Sequence, residues 1–367
     1  MAEPVRVAAV VQWERLVDFA QRAYEACGVP PDQAHDAAEA IVDADGHGTT
    51  THGLKNLRMY ITNLKEGRAN PTPNIRQVGG KGASAVFDAD RALGHVAAYH
   101  GMRKAIELAK EYGTSTVVVR SSNHYGHSGF WASVPVRHNM AGFSFTNAGP
   151  TMALYGGKQA IVGNNPPSWA VPSKVSDPSH KGPASDYEPV FIDMALSVVA
   201  GNRLDIYRRR GEPIPEGWAL DANGEPTTDP NEVRRGGTLA PMQGYKGAGL
   251  AVVLGMMTSF LGGTMFDDQK RDPATGRPIS GTTGHFFQAY DIGQFTDLEA
   301  FCAAVRANST RIRTSPPKAG VERVYAPGDI ENAKATTHTS EGVPLEQFTL
   351  DDLEWVAEFV GVEYNIV

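Results

Sequence analysis

Residues 121–166 read SSNHYGHSGFWASVPVRHNMAGFSFTNAGPTMALYGGKQAIVGNNP, and the β-branched run that feeds them, from Thr116 to Val119, is bounded by Gly113 before and by Ser121 to Asn123 after. Such a run predicts a buried strand with a polar C-terminal end. His124 then sits where a strand hands over to a loop. Open α/β sheets bind ligands at the carboxyl ends of strands, and imidazole, with an unperturbed pKa of about 6.5, suits proton transfer near neutrality. A second strand is expected over 142–146, ending in Asn147, Ala148, Gly149 and Pro150, and a third polar turn at Gly163, Asn164, Asn165 and Pro166. Each turn alone is ordinary punctuation. Together they offer backbone and side-chain amides to one ligand.

Upstream, helical spacing predicts helices over 12–26, 32–45 and 53–66, the last with Leu54, Leu57, Ile61 and Leu64 on one stripe. Between the second and third lies a polar turn, Gly46 to Gly53, in which His52 opens a helix and is the second candidate for chemistry. A strand at 85–88, a helix at 94–111 and the strand at 116–119 form a strand-helix-strand progression. Downstream, VFID at 190–193 reads as a strand and 195–204 as a helix. The Pro-rich stretch 208–238 is longer than a plain connection and is expected to be functional or disordered. An apolar run, 248–265, suits a buried helix, and Lys246 among glycines at its start suits an anion. Near the C-terminus, 296–312 and 350–360 read as helices, with Thr349 and Asp352 as a capping box, and 321–325 as a strand. The expected organisation is a helical unit, 1–78 joined by about 310–367, beside a sheet-containing unit, 79–309.

The chain has 367 residues, 41% of them hydrophobic, and a net charge of −7 without a basic stripe, which argues against a nucleic-acid partner. Cys27 and Cys302 stand apart in no metal or redox spacing, as in a reducing compartment. No uncharged apolar run approaches the roughly 20 residues that cross a bilayer, and none near Met1 resembles a signal segment. A soluble, cytoplasmic protein without a membrane partner is expected.

Common nucleotide motifs fail on context. Gly80-Lys81-Gly82-Ala83-Ser84-Ala85 fits G-x-G-x-x-A, but strand-like sequence follows where a helix must receive the pyrophosphate. Gly157-Lys158 lacks the Ser or Thr of a P-loop, and no G-x-S-x-G elbow surrounds Ser122. His47, His52, His124 and His127 invite a metal-dependent lyase or hydrolase reading, although no carboxylate or cysteine accompanies them in a recognisable spacing. From the residues alone the chain is an α/β enzyme with two proton-transfer histidines and a Gly/Asn-rich anion site.

Across nearly its full length the sequence resembles the type-2 malate/L-lactate dehydrogenases, a family that includes sulfolactate, ureidoglycolate and diketogulonate dehydrogenases and Δ1-piperideine-2-carboxylate reductase. The resemblance rests on Thr51-His52-Gly53, Ser122-Asn123-His124-Tyr125-Gly126, Gly163-Asn164-Asn165-Pro166, Asp193-Met194-Ala195, Lys246-Gly247-Ala248-Gly249-Leu250 and Pro327-Gly328-Asp329, in that order. It implies hydride transfer between NAD or NADP and a 2-hydroxy/2-oxo acid, or alternatively a cyclic imino acid. It also implies a non-Rossmann mixed sheet and a homodimer. By this analogy His124, the first choice, and His52 are the catalytic pair, and Thr51, Asn56, Arg58 and Asn123 contact substrate. Cofactor would lie against His124, Asn147, Ala148, Asn164, Pro166, Asp193, Met194, Ala195, Lys246, Gly247, Pro327, Gly328 and Asp329, with no metal ligand. One departure matters: four residues after His52, where the family usually has arginine, stands Asn56, with Arg58 two residues on.

Overall fold

A computed structural model of the chain describes residues 6–177, 188–276 and 279–366. In chain order its elements begin with β1 (Ala9–Val11), α1 (Trp13–Glu25), α2 (Pro31–Gly46), α3 (Leu57–Lys65), β2 (Arg76–Gly79), β3 (Ser84–Asp88), α4 (Gly94–Tyr112), β4 (Thr116–Ser122), α5 (Ser128–Ser133) and β5 (Met140–Thr146). There follow β6 (Met152–Ala153), β7 (Ala160–Val162), β8 (Pro167–Val171), β9 (Val190–Asp193), α6 (Gly201–Arg210), β10 (Ala219–Leu220), β11 (Pro226–Thr227) and β12 (Thr238–Leu239). The last are α7 (Tyr245–Leu261), β13 (Thr283–Asp291), α8 (Leu298–Arg313), α9 (Asp329–Glu341), β14 (Val343–Leu345) and α10 (Gln347–Val360).

Among the described residues the main sheet has seven strands in the order β2-β3-β4-β13-β5-β8-β9. Strands β3 and β4 run parallel and the other neighbours antiparallel, which is a mixed α/β sheet and not a doubly wound one. Both faces are covered. Val117 and Val119 of β4 enter a core shared with α1, α2, α3, α4 and α10, while Val118 enters a second core with α7 and the small strands. Alternate residues of a strand point to opposite faces, so a sheet buried on both sides reads as an unbroken apolar run.

Several expectations are corrected. Strand β4 continues through Ser122, because β13 pairs with it as far as Thr283↔Ser122. The 53–66 helix begins only at Leu57: Gly53 is extended, and a Cβ there would lie 2.2 Å from the Asp45 carboxyl, whose Oδ2 accepts from Leu54 N at 2.6 Å. Residues 195–200 run irregularly and the helix starts at Gly201. The Pro-rich stretch is folded, its β10, β11 and β12 joining β6 and β7 in a five-stranded sheet. Helix α7 is only half buried: Ala251 and Leu254 face the core, while Val253, Phe260 and Leu261 are 53%, 60% and 55% exposed. No strand forms at 321–325. The capping box is absent because α10 starts earlier, at Gln347, and Asp352 is drawn instead into ion pairs with Arg58 and Arg209, each at 2.9 Å. Among the described residues no helix is long and apolar enough to cross a membrane.

Candidate functional site

The loop after β4 is fixed from both sides. Asn123 donates to Arg91 O and Ala92 O at 3.0 and 2.8 Å, and its Oδ1 accepts from Ser280 and Gly281. The loop then crosses the start of α4 so closely that a Cβ on Gly94 would sit 2.1 Å from His124 O. This holds the His124 ring, whose Nδ1 meets the buried Tyr60 hydroxyl at 2.6 Å. His52, on the turn before α3, stacks on His124 with ring centroids 5.6 Å apart and planes inclined by 15°. Its Nδ1 is 2.8 Å from Thr51 Oγ1. The carbonyl of Thr51 accepts from both Asn56 and Asn202, at 3.0 and 2.8 Å, which ties the turn to the first residues of α6.

The two sequence-predicted histidines are therefore together, in unequal positions. A cavity of about 340 Å³ opens between this turn, the end of β9 and α6, lined by Thr51, His52, Gly126, His127, Asn164, Pro166, Asp193, Met194, Ala195, Ser197, Arg203 and Met242. His52 is on its wall and His124 stands behind it. Burial holds both imidazoles below their ordinary range, His52 at about 3, with the neighbouring His124 adding to the effect, and His124 at about 4, with Lys55 adding to it. Both are neutral at pH 7.

His127 lies three residues on and is the opposite case. Its Nε2 is 3.0 Å from Asp43 Oδ2 and its Nδ1 3.5 Å from Asp193 Oδ2. Burial would lower its pKa, but the hydrogen bonds to Asp193 and Asp43 raise it to about 9. His47 Nδ1 completes the group at 3.1 Å from the same Asp43 oxygen. Burial would raise the Asp43 carboxyl; the charges and hydrogen bonds of His47 and His127 hold it well below the usual range. Asp193, half-buried at the cavity edge, is lowered by His127 and by Ser168, which donates to it at 2.8 Å. The four histidines thus form two separate pairs, and among the described residues no group of three or more His, Cys, Asp or Glu could hold a metal ion.

Other predicted residues lie elsewhere. Asn56 is buried with its amide on Thr51 O, and Arg58 points outward onto Asp352 and the Trp355 ring, 4.1 Å from its centroid. Asn147 is fully buried, donating to Ser259 Oγ and accepting from Gly284 N, both at 2.7 Å, so it braces the sheet. The Ala148 amide is used by Asn165 Oδ1 at 2.8 Å. Gly247 lets α7 start against the cavity wall, since a Cβ there would lie 2.7 Å from Leu196 O, whereas Lys246 is exposed. The Pro327–Asp329 turn packs on Phe191 of β9, and Asp329 pairs with Arg313 at 2.6 Å; none of the three lines the cavity. Asp43 and Arg203 were missed by sequence reasoning. No motif marks either residue, so only their packing reveals them.

Asn164, Pro166 and residues of the 193–200 segment line one side of the cavity, beside His52. A family model described as malate/L-lactate dehydrogenase matches residues 11–354. The chain is 34% identical over 358 residues to the malate dehydrogenase of Pyrococcus horikoshii, covering 95% of each chain. It is 34% identical over 279 residues to the (2R)-3-sulfolactate dehydrogenase (NADP(+)) of Chromohalobacter salexigens, covering 76% of this chain and 80% of the relative. The solved structure of the Pyrococcus horikoshii malate dehydrogenase matches with a TM-score of 0.86 at 30% identity over 99% of both chains.

Proposed function

The chain belongs to the malate/L-lactate dehydrogenase family, an NAD- or NADP-dependent oxidoreductase acting on 2-hydroxy acids, and from that premise we propose that His52 exchanges the proton of the reaction. The observation that carries this is the position of His52 on the cavity wall, with His124 stacked behind it and occupied by Tyr60. Bound nicotinamide supplies the hydride acceptor or donor.

The chain supplies the rest. His52 Nδ1 shares a hydrogen bond with Thr51 Oγ1; in the tautomer in which Nδ1 donates, Nε2 keeps a lone pair, the form that accepts the proton of a 2-hydroxyl as C2 is oxidised. The depressed pKa of His52 keeps that form populated at neutral pH. The charge of Asp193 favours the developing imidazolium and opposes the depression, and Asp193 is itself oriented by His127 and Ser168. In the reverse direction the protonated ring returns its proton to the 2-oxo oxygen. Residues Asn164, Pro166 and Asp193–Ala195 would hold the nicotinamide side of the cofactor. The helical unit, 1–78 with about 310–367, and the sheet unit, 79–309, belong to the same proposal, the cleft lying where His52 of the first meets Asp193 of the second.

A homodimer is also proposed, because α7 presents Leu250, Val253, Met257, Phe260 and Leu261 to solvent on a helix that a single chain leaves uncovered. Sedimentation as a monomer at micromolar concentration would remove that reading. The two cysteines are free thiols, consistent with a cytoplasmic location. The reaction is tested by loss of reduced-nicotinamide absorbance with NADH and with NADPH over a panel of 2-oxo acids. Turnover of at least one acid is expected, and silence across the panel with cofactor bound would overturn the reading.

A further inference from the structure

A 2-hydroxy or 2-oxo acid carries a carboxylate on the carbon next to the one that reacts, so a site for it needs a cation within reach of the proton-exchanging histidine. The ionisable groups on the cavity wall are His52, His127, Asp193 and Arg203. His127 is committed to two carboxylates. The residue four positions after His52, Asn56, is neutral and its amide is used internally. Cations around the cavity are also occupied: Arg58 is on Asp352, Arg208 on Asp205, Arg209 on Asp205 and Asp352, and Lys55 has Asp205 at 4.0 Å.

Arg203 is the exception. Among the described residues its guanidinium has no carboxylate partner, although Asp205 two residues on gathers Arg208, Arg209 and Arg234. Its backbone is set by a hydrogen bond from its own N–H to Ala200 O at 2.8 Å, and the preceding Asn202 is bound to Thr51 O at 2.8 Å, the residue adjoining His52. Among the described residues, a guanidinium without a carboxylate partner thus lines the same cavity as the proton-exchanging imidazole, in the first turn of α6, whose Asn202 is bonded to the residue before His52.

We propose that Arg203 binds the C1 carboxylate of the substrate and is the residue that selects acids over neutral 2-oxo compounds. The inference rests on the oxidoreductase reading given above. Its planar fork matches a carboxylate with two parallel N–H···O bonds, a geometry that Asn56 cannot supply.

The test compares a 2-oxo acid such as pyruvate with its neutral amide, in the wild type and in Arg203→Met. Loss of a charge-assisted hydrogen-bonded pair is expected to raise KM for the acid on the order of 10- to 100-fold and to bring the acid-to-amide ratio of kcat/KM towards one. The dissociation constants of NADH and NADPH, read by fluorescence, should stay within about twofold. If Arg203→Met does not fold, Arg203→Gln carries the same comparison. An unchanged acid-to-amide ratio overturns the assignment, and so does weakened cofactor binding with an unchanged ratio, which would place Arg203 on a cofactor phosphate. An inactive wild type overturns the oxidoreductase reading and the assignment with it, whereas an active wild type with an indifferent variant overturns the assignment alone.

Discussion

Two histidine pairs sit on the same two loops of this protein, and their surroundings give them opposite properties. His52 and His124 stack at 5.6 Å and meet hydroxyls, Thr51 Oγ1 and Tyr60 OH. His47 and His127 lie 6.4 Å apart around the carboxylate of Asp43, with Asp193 on the far side of His127. Desolvation disfavours the charged ring of His52, His124 and His127 alike. What differs is the partner: a hydroxyl leaves the desolvation cost uncompensated, so the first pair is neutral, while two carboxylates more than offset it and hold His127 as an imidazolium. A proton-exchanging group must change charge during turnover, and the first pair is free to do so. The second is a fixed ion cluster that orients Asp193 at the cavity edge.

The comparison can be broken most severely at His52. His52→Gln is expected to lower kcat/KM by about 10²- to 10⁴-fold, the usual worth of positioned proton transfer, with cofactor affinity retained. Steady-state kinetics of the variant check this, and near-wild-type turnover would transfer the role to His124. The second pair should respond in stability. Asp43→Asn leaves a buried imidazolium without one of its two carboxylates and is expected to cost roughly 3–5 kcal/mol in denaturant unfolding, as breaking buried pairs does. A change within experimental error would mean that His127 is not charged.

The pH dependence of stability sharpens the contrast with the smallest effect. For His52 and His124, with pKa about 3 and about 4, the unfolded chain takes up protons near 6.5 that the folded chain refuses. Their contribution is therefore present above pH 6.5 and is lost as pH falls towards 4. His127, raised to about 9, works the other way: its contribution is full below pH 6.5 and is lost as pH rises through about 9. Melting temperatures across pH 5 to 10 should fall on the alkaline side in the wild type and less steeply in His127→Phe. Parallel alkaline slopes in the two proteins would contradict the imidazolium assignment.

The helices and strands were largely legible because apolar periodicity reports which faces are buried: β4, β5, β9, α1, α2 and α4 lie close to where their residues place them. Misreadings came where tertiary contacts override local signals. The Pro-rich stretch has little periodicity of its own, yet β12 finds β6, 87 residues earlier in the chain, at Leu239↔Met152. Helix α7 is apolar on nearly every side, so periodicity gave no indication that one side faces solvent. Thr349 and Asp352 had the spacing of a cap, but two arginines from other helices compete for the Asp352 carboxylate.

The candidate site shows the same division. The motifs around His52, Asn164 and Asp193 fall on segments that line the cavity, with His124 stacked on His52, since turn chemistry and residue type are local properties. Asn123 and Asn147 were legible as polar residues at strand ends, yet their amides are consumed by backbone and side-chain partners. Sequence by itself determined the family, the mixed α/β class and the presence of paired histidines. Only the tertiary structure decided which histidine faces the cavity, that His127 is held charged and, among the described residues, that the arginine on the cavity wall has no carboxylate partner, because burial and ion pairing join residues such as Asp43 and His127 that lie 84 positions apart in the chain.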